Sequence, residues 1–191
     1  MRMLHARAGD DAATAAKLRR AALDATFTGF VHQHHLTVER FLRRLEADGG
    51  MVEDVSQEAF MALRDKWEDV QGYQNPLAWT LAVARNILRD HQKKRGRRRV
   101  LFFDDVSMPE IPAPTDPQEA DDRLAGWIQL LPTRMGEVIS MSLAGLPDRT
   151  IGLTLGISHN TVRDSKSEAR KKLQQLAEAD GFITPAGRRR K

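Results

Sequence analysis

The segment that decides the fold is Pro76–Arg99, which reads PLAWTLAVARNILRDHQKKRGRRR. Proline suits the first turn of a helix, because the N–H that it lacks would have no partner there. Apolar residues then recur at helical spacing along one face, at Leu77, Leu81, Ala84 and Leu88. Trp79, Val83 and Ile87 widen this stripe, so the helix needs neighbours on more than one side. The pattern predicts a buried helix.

A block of positive charge continues the same helix. Arg85, Asn86 and Arg89 occupy the narrow polar face of the apolar half. The cations that follow are Lys93, Lys94, Arg95, Arg97, Arg98 and Arg99. A basic run by itself is typical of a solvated face or a tail. Because this one is continuous with a strongly apolar helix, it favours a nucleic-acid-binding helix held rigidly by a core.

The composition is that of small helical units. The chain has 191 residues, 41% of them apolar and 29% charged, which allows one domain or two small ones. The net charge is +4, but residues 103–122 carry seven carboxylates and no Lys or Arg. There is no cysteine, which excludes disulfides and thiolate metal sites. With no apolar run near the roughly 20 residues of a membrane span and no signal peptide, we expect a soluble cytoplasmic protein.

The first half of the chain reads as helices around an N-terminal extension. Residues 1–24 are rich in Ala and Arg and are predicted to be helical from about Asp11, with no function assigned. The first solid helix is predicted over Phe27–Leu45, and Asp48-Gly49-Gly50 breaks it. Three histidines lie in that helix, His32, His34 and His35. Metal binding is one interpretation, but no fourth ligand is evident, and a polar stripe is favoured.

A second helix is predicted from about Glu53 to Trp67, and the following segment Glu68–Asn75 has the composition of a loop. The polar side of the second helix begins with Asp54, Gln57 and Glu58. Carboxylates there also stabilise a helix N-terminus through its dipole, so a purely structural role stays open. Together with the basic helix, these elements predict a first helical domain over residues 25–99.

The segment 100–118 is an acidic, proline-rich linker. Pro109, Pro112, Pro114 and Pro117 leave no room for a regular element. It reads either as a solvated tether or as a negatively charged strand that occupies a basic channel. A basic tail, residues 179–191, ends the chain and would add non-specific affinity for DNA.

Residues 119–178 predict a second helical domain that ends in a helix-turn-helix. Asp148 can cap a short helix, and Gly156 supplies a left-handed turn residue. Ser158 then caps a long helix. The inward-facing residues of that helix are Val162, Ala169, Leu173 and Leu176. This order of elements is typical of a DNA-binding helix-turn-helix, although the same turn occurs in helical proteins that never contact DNA.

The start of the long helix would enter the major groove. Arg163 could donate hydrogen bonds to a guanine, Asn160 could pair with an adenine, and Asp164 could accept from a cytosine amine. The residues expected at the base edges are His159, Asn160, Thr161, Arg163, Asp164 and Ser167. Lys166, Arg170 and Lys171 are better placed for phosphates, which position a protein without specifying a sequence.

Three stretches resemble one family, the extracytoplasmic-function (ECF) group of bacterial RNA polymerase sigma factors. Residues 54–60, DVSQEAF, are similar to its D-x-x-Q-E-x-F helix. Residues 79–86, WTLAVARN, followed by Asp90, are similar to its W-L-x-x-I-A-R-N-x-x-x-D helix. Residues 131–173, which begin LPTR, are similar to its terminal helix-turn-helix domain. The resemblance spans about Phe27–Leu176 and implies an all-α fold of two small domains.

The resemblance assigns roles to the first domain. It implies that Asp54, Gln57 and Glu58 face the clamp coiled coil of core RNA polymerase. The promoter's minus-ten element would contact Arg85, Asn86 and Arg89, and upstream phosphates would contact Lys93, Lys94, Arg95, Arg97 and Arg98. The loop Gln71–Asn75 would help to hold a base flipped from the opened non-template strand. The side chains of Tyr73, Gln74 and Asn75 suit that role by stacking and hydrogen bonding.

The remaining implications concern the linker, the second domain and the partners. The linker would thread toward the polymerase active centre and the RNA exit path, and the helix after Ser158 would read the minus-thirty-five element. The partners are core polymerase and promoter DNA, and the family makes an anti-sigma protein plausible. The family usually has Ile-Ala where this chain has Ile151-Gly152. Ser165 and Glu168 stand where further arginines are frequent, and Asp164 adds another negative charge. These departures put the upstream contacts in question.

The function predicted from the sequence is a non-enzymatic initiation factor without a cofactor. No nucleophile–base set, Gly-rich phosphate loop or carboxylate pair argues for an enzyme. One alternative is a helix-turn-helix regulator that acts independently of core polymerase, but such regulators lack the first module. Another is a helical adaptor, which would leave the basic block and the recognition helix unexplained.

Overall fold

The computed structural model describes the backbone of residues 3–98 and 117–182, and the side chains of residues 14–96 and 119–182. These residues form helices and no strand, which confirms the predicted all-α fold. The helices are α1 (Met3–Arg43), α2 (Gly49–Asp65), α3 (Trp67–Val70), α4 (Pro76–Arg98), α5 (Pro117–Gln129), α6 (Thr133–Leu143), α7 (Asp148–Leu155) and α8 (His159–Ala179). Nearly all of the predicted linker, and the basic tail beyond Phe182, lie outside the described residues.

The first two helices begin earlier than the sequence predicts. The N-terminal extension is not a separate element, because α1 runs unbroken from Met3 to Arg43. The predicted start of α2 at Glu53 is also wrong. Asp48 is its N-cap and accepts a hydrogen bond from the Met51 N–H at 3.2 Å. This cap satisfies an orphan donor, so the two glycines that follow lie inside the first turn.

The predicted loop before α4 contains a short helix. Lys66 separates α2 from α3, and Trp67 belongs to α3 because the backbone turns there. Only residues 71–75 remain as a loop, which we call the base loop. Asn75 closes it by accepting a hydrogen bond from the Ala78 N–H at 2.9 Å, which caps the first turn of α4.

The helix-turn-helix forms as the sequence predicts. Gly156 has φ +65°, the left-handed conformation that favours glycine at a helix end. Ser158 Oγ accepts a hydrogen bond from the Thr161 N–H at 3.1 Å and caps α8. The predicted cap at Asp148 is wrong. Pro147 takes the N-cap position, and the Asp148 carboxylate instead accepts a 2.6 Å hydrogen bond from Lys166 Nζ.

The helices fall into two groups, α1–α4 and α5–α8, that share one central core. Phe41, Leu81 and Leu88 from the first group lie in the same buried cluster as Met141 and Ile151 from the second. Each fully buried Leu, Ile or Phe side chain contributes about 1.5–3 kcal/mol, so this core holds the groups together. Two smaller clusters are local. One surrounds Ile128 and Ile139 in the second group, and one surrounds Trp67 in the first.

Candidate nucleic-acid and protein interfaces

A buried ion cluster lies where the two helical groups meet. Glu137 of α6 is 1% exposed and Arg85 of α4 is 8% exposed. Arg85 donates two hydrogen bonds to the Glu137 carboxylate, from Nε at 2.7 Å and from Nη2 at 3.1 Å. Arg89 Nη2 lies 2.9 Å from the same carboxylate, and Arg134 Nη1 lies 3.6 Å from it. We call these four residues the junction cluster.

The junction cluster engages two side chains that the sequence assigns to DNA. A bidentate guanidinium–carboxylate pair is strong and directional, and it offsets the cost of burying both charges. Arg85 therefore lies inside the molecule, while the side chain of Arg89 is half exposed. Asn86 is exposed beside them and accepts from Arg85 Nη1 at 3.4 Å. In this arrangement the predicted minus-ten face of α4 presents only Asn86 and part of Arg89.

The base loop presents an aromatic ring and a side-chain amide. Tyr73 is 51% exposed, and Gln74 is exposed next to it. Asn75 lies in the same loop, but its side-chain oxygen is engaged with the Ala78 N–H. Gln71, at the start of the loop, donates from Nε2 to the Glu68 carbonyl at 3.4 Å. Of the three side chains predicted to hold a flipped base, Tyr73 and Gln74 are therefore the two that are exposed.

The basic block is divided between exposed and engaged cations. Lys93 and Lys94 are exposed, and Lys93 Nζ lies 3.4 Å from Asp90. Arg95 binds back to the α1–α2 turn, 3.0 Å from Glu46 and 3.2 Å from Asp48. The side chains of Arg97 and Arg98, and all of Arg99, lie outside the described residues.

Glu46 is a strong anchor for Arg95. Burial raises the pKa of the Glu46 carboxyl, but hydrogen bonds from Gln92, the Asp48 N–H and Arg95 outweigh it, so the pKa ends below its usual value. Arg95 therefore pairs with a carboxylate that stays ionised at neutral pH. The structure gives this arginine a tethering contact inside the first helical group.

The polar face of α2 is exposed. Asp54, Gln57 and Glu58 share this face, as their spacing predicts. Gln57 Nε2 donates to Glu53 at 3.4 Å, and Glu58 contacts His91 Nε2 of α4 at 3.0 Å. The structure thus brings together the three residues expected to contact a protein partner.

The N-terminal half of α8 is an open polar surface. The side chains expected at base edges are all exposed, at His159, Asn160, Thr161, Arg163, Asp164 and Ser167. The Thr161 hydroxyl is 2.8 Å from the Ser158 hydroxyl. Arg170 and Lys171 are exposed one to two turns further on. The face predicted to enter the major groove is therefore exposed in the folded chain.

Lys166 differs from its neighbours on α8. Its side chain is 17% exposed and its ammonium binds Asp148 of α7. The hydrogen bond from Lys166 lowers the pKa of the Asp148 carboxyl, and the nearby charges of Lys166, His159 and Arg163 lower it further. Lys166 thus joins the two helices of the motif, and of the three cations predicted to contact phosphates only Arg170 and Lys171 are exposed.

Gly152 is explained by the close approach of α7 to the turn. A Cβ atom built at this position would lie 2.9 Å from the Ile157 carbonyl oxygen. Real Cβ atoms essentially never approach that closely, and the neighbour is backbone, which moves at a cost. The departure from alanine noted in the sequence therefore accompanies a tight turn in this chain.

The sequence did not identify Glu137 as a functional residue. Its only signal is a single carboxylate inside the otherwise uncharged run of α6, MGEVISM. A charged residue on such a face needs a buried partner. The sequence does not say that the partner is Arg85, 52 positions earlier. Among the described residues, no group of three or more His, Cys, Asp or Glu is arranged to hold a metal ion.

Comparison with known proteins identifies the family. A sequence model of sigma-70 region 2 matches residues 30–98. The ECF RNA polymerase sigma factor SigF of Caulobacter vibrioides is 33% identical over 149 residues, which cover 74% of this chain and 79% of SigF. RNA polymerase sigma factor CarQ of Myxococcus xanthus is 27% identical over 168 residues, which cover 84% of this chain and 93% of CarQ.

The fold has a solved counterpart. The sigma factor RpoE of Bartonella quintana, in complex with the anti-sigma factor NepR, superposes with a TM-score of 0.67 at 22% identity, over 81% of this chain and 98% of RpoE. That likeness concerns the fold, and the sequence relatives carry the family assignment. The chain belongs to the ECF RNA polymerase sigma factors.

Proposed function

We propose that this chain binds core RNA polymerase, reads a two-part promoter and stabilises the opened DNA, without an enzymatic activity of its own. The observation that carries this proposal is the family membership together with two exposed polar faces, one on α2 and one on α8. A helix-turn-helix regulator that acts without polymerase would use the α8 face alone. It would leave the α2 face of Asp54, Gln57 and Glu58 without a role.

The two helical groups would bind different partners. Residues 25–99 would bind the polymerase and the minus-ten element, and residues 119–178 would bind the minus-thirty-five element. Residues 100–118 would connect them through the polymerase channel. Exposed Tyr73 would stack on a base from the opened non-template strand, and Gln74 would bond its edge. Unstacking a base costs a few kcal/mol, which stacking at about 1–3 kcal/mol per base and strand binding offset.

The junction cluster supports a proposal in which the promoter-bound form differs from the arrangement described above. Arg85 is buried against Glu137 and has no access to DNA in this arrangement, so the two helical groups would separate when the polymerase binds. Phosphates would then replace the Glu137 carboxylate as partners of both arginines. The interface with polymerase would offset the loss of the shared core.

An anti-sigma protein would be a natural partner of the arrangement in which the two helical groups share one core. The superposed Bartonella sigma factor is bound to one, and we extend that kind of partner to this chain. Among the described residues, no helix has both the length and the apolar character needed to cross a bilayer. We propose that the free chain is a monomer in the cytoplasm.

The α2 face is tested by capture of purified core polymerase. We expect Gln57→Ala combined with Glu58→Ala to weaken capture about ten-fold or more, since interface contacts of this kind are worth about 1–3 kcal/mol when truncated. The matched control is Gln174→Ala with Glu178→Ala, a hydrogen-bonded pair of the same residue types on α8. Both variants should keep the helical circular dichroism spectrum. Equal capture by the two variants would contradict the assignment.

A further inference from the structure

The N-terminal part of α1 packs beside the base loop. Residues 19–30 of α1, which we call the N-terminal arm, lie along the end of α2 and along α3. Arg19 pairs with Glu68, and Asp24 lies 3.4 Å from Arg64. These ion pairs are exposed and contribute little stability. They show which surface the arm covers, which is the surface just before the base loop.

The aromatic contacts of the arm contribute more to its packing than the exposed ion pairs do. Phe27 meets the ring of Trp67 edge-on at 5.7 Å, and Phe30 lies 5.1 Å from the same ring. Trp67, in α3, precedes the base loop, and Trp79, in the first turn of α4, follows it. Trp79 packs in the same cluster. The arm therefore contacts Trp67 before residues 71–75 and packs on the same small cluster as Trp79 after them.

A single hydroxyl connects the arm to the loop itself. Thr26 Oγ1 accepts a hydrogen bond from Trp67 Nε1 at 2.9 Å. The same oxygen lies 3.3 Å from Oε1 of Gln71, the first residue of the base loop, and 3.0 Å from the Leu23 carbonyl. Thr26 is thus the point where the arm, α3 and the loop meet. It lies before residue 30, where the match to sigma-70 region 2 begins.

We propose that Thr26 is a positioning residue for base capture, and that the N-terminal arm holds the base loop in the conformation that presents Tyr73 to an unpaired base. This inference rests on the proposed role of the base loop. The Thr26 hydroxyl fixes the rotamers of Trp67 and Gln71, and these in turn fix the start of the loop. Residues 19–24 belong to both the arm and the N-terminal extension, so part of the extension gains a role that the sequence did not suggest.

The test measures strand opening by holoenzyme assembled from core polymerase and the full chain. The probe is a promoter fragment recovered with this holoenzyme, with 2-aminopurine replacing a minus-ten adenine of the non-template strand. Because a neutral hydrogen bond is worth about a factor of five in an equilibrium, we expect Thr26→Val to lower the opened fraction about five-fold. Polymerase capture should stay unchanged, and Thr26→Ser, which keeps the hydroxyl, should restore opening.

The control is Thr28→Val. Thr28 lies on the same helix, and its hydroxyl donates only to the Asp24 carbonyl one turn back, at 2.8 Å, among the bonds described for it. Tyr73→Ala separates the two proposals. If Tyr73→Ala reduces opening while Thr26→Val behaves like Thr28→Val, the positioning role is wrong and base capture stands. If Thr26→Val weakens polymerase capture as much as opening, its role is merely structural. If holoenzyme with Tyr73→Ala opens DNA as well as the unchanged chain does, the proposal of base capture by this loop is wrong. The positioning role of Thr26 is then wrong as well.

Discussion

The polar faces of α4 and α8 look alike in sequence and differ in the folded chain. Each carries arginine and asparagine on a helix whose other side is apolar, and both were predicted to contact DNA. On α8 the side chains of Asn160 and Arg163 are exposed. On α4, Arg85 is buried against Glu137. Helical periodicity shows which residues point away from their own apolar stripe. It does not show whether a second helical group covers them.

The largest expected effect comes from Glu137→Gln. Removing the charge leaves Arg85 without its buried counter-ion, and breaking such a pair typically costs about 3–5 kcal/mol. We expect the two helical groups to separate while each keeps its helices. Small-angle X-ray scattering would show a larger radius of gyration, and denaturant titration would show the lost stability.

The matched control for that change is Glu168→Gln. Glu168 pairs with Lys172 on the exposed face of α8 at 3.6 Å. Loss of an exposed pair costs about 0–1 kcal/mol, so this variant should keep the compact form. An unchanged radius of gyration in Glu137→Gln would contradict the view that the shared core needs the junction cluster to hold the groups together.

The second prediction concerns base reading by α8. Arg163→Ala should weaken holoenzyme binding to the preferred upstream element by about 1–3 kcal/mol and relax the preference at one base pair, as expected for a lost guanine contact. Lys171→Ala should weaken binding to all sequences alike, because a phosphate contact carries no sequence information. Competition among randomised upstream elements measures both effects. Equal losses of selectivity in the two variants would remove the distinction between them.

The third prediction divides the basic block. Lys94→Gln should reduce the slope of log affinity against log salt by about 0.9, the effect of one phosphate contact on B-DNA. Arg95→Gln should leave the slope nearly unchanged and should mainly reduce stability, since Arg95 binds Glu46 and Asp48. Promoter binding at several salt concentrations provides the slopes. If the two slopes are the same, the engaged and exposed cations of the block are not functionally distinct.

The smallest effect compares two glycines. At Gly126 in α5, an added Cβ would meet nothing within 4 Å, so Gly126→Ala should stabilise the chain by about 0.5–1 kcal/mol. At Gly152 the same change forces the Ile157 carbonyl to move, and we expect a loss of about 1 kcal/mol. Thermal unfolding of both variants measures the difference. A gain at both positions would show that the turn has more room than the structure indicates.

The sequence predicts those features that local chemistry determines. Gly156 and Ser158 end one helix and start the next through contacts within a few residues, so the helix-turn-helix was predicted almost to the residue. The apolar stripe of α4 was equally clear. The spacing of Asp54, Gln57 and Glu58 placed them on one helix face, as the structure has them.

The sequence did not predict which partner several polar side chains take. Asn75 was assigned to base recognition, yet its side-chain oxygen caps α4. Arg95 and Lys166 were assigned to phosphates, yet each is paired with a carboxylate of another segment. Asp48-Gly49-Gly50 was predicted only to end the first helix, although the capping bond of Asp48 allows α2 to begin there. At Asn75 and Asp48 the partner is a backbone N–H three residues further on, whereas at Arg95 and Lys166 it is a carboxylate that the fold brings near from another segment.

The most direct test of the account is transcription by purified core RNA polymerase with and without the full chain. Run-off transcription from genomic fragments, followed by sequencing of the transcript ends, would identify the start sites. We predict start sites that appear only with the chain present and that share an upstream and a minus-ten element. The account would be contradicted if the chain added no start site and instead bound DNA tightly as a dimer in the absence of polymerase.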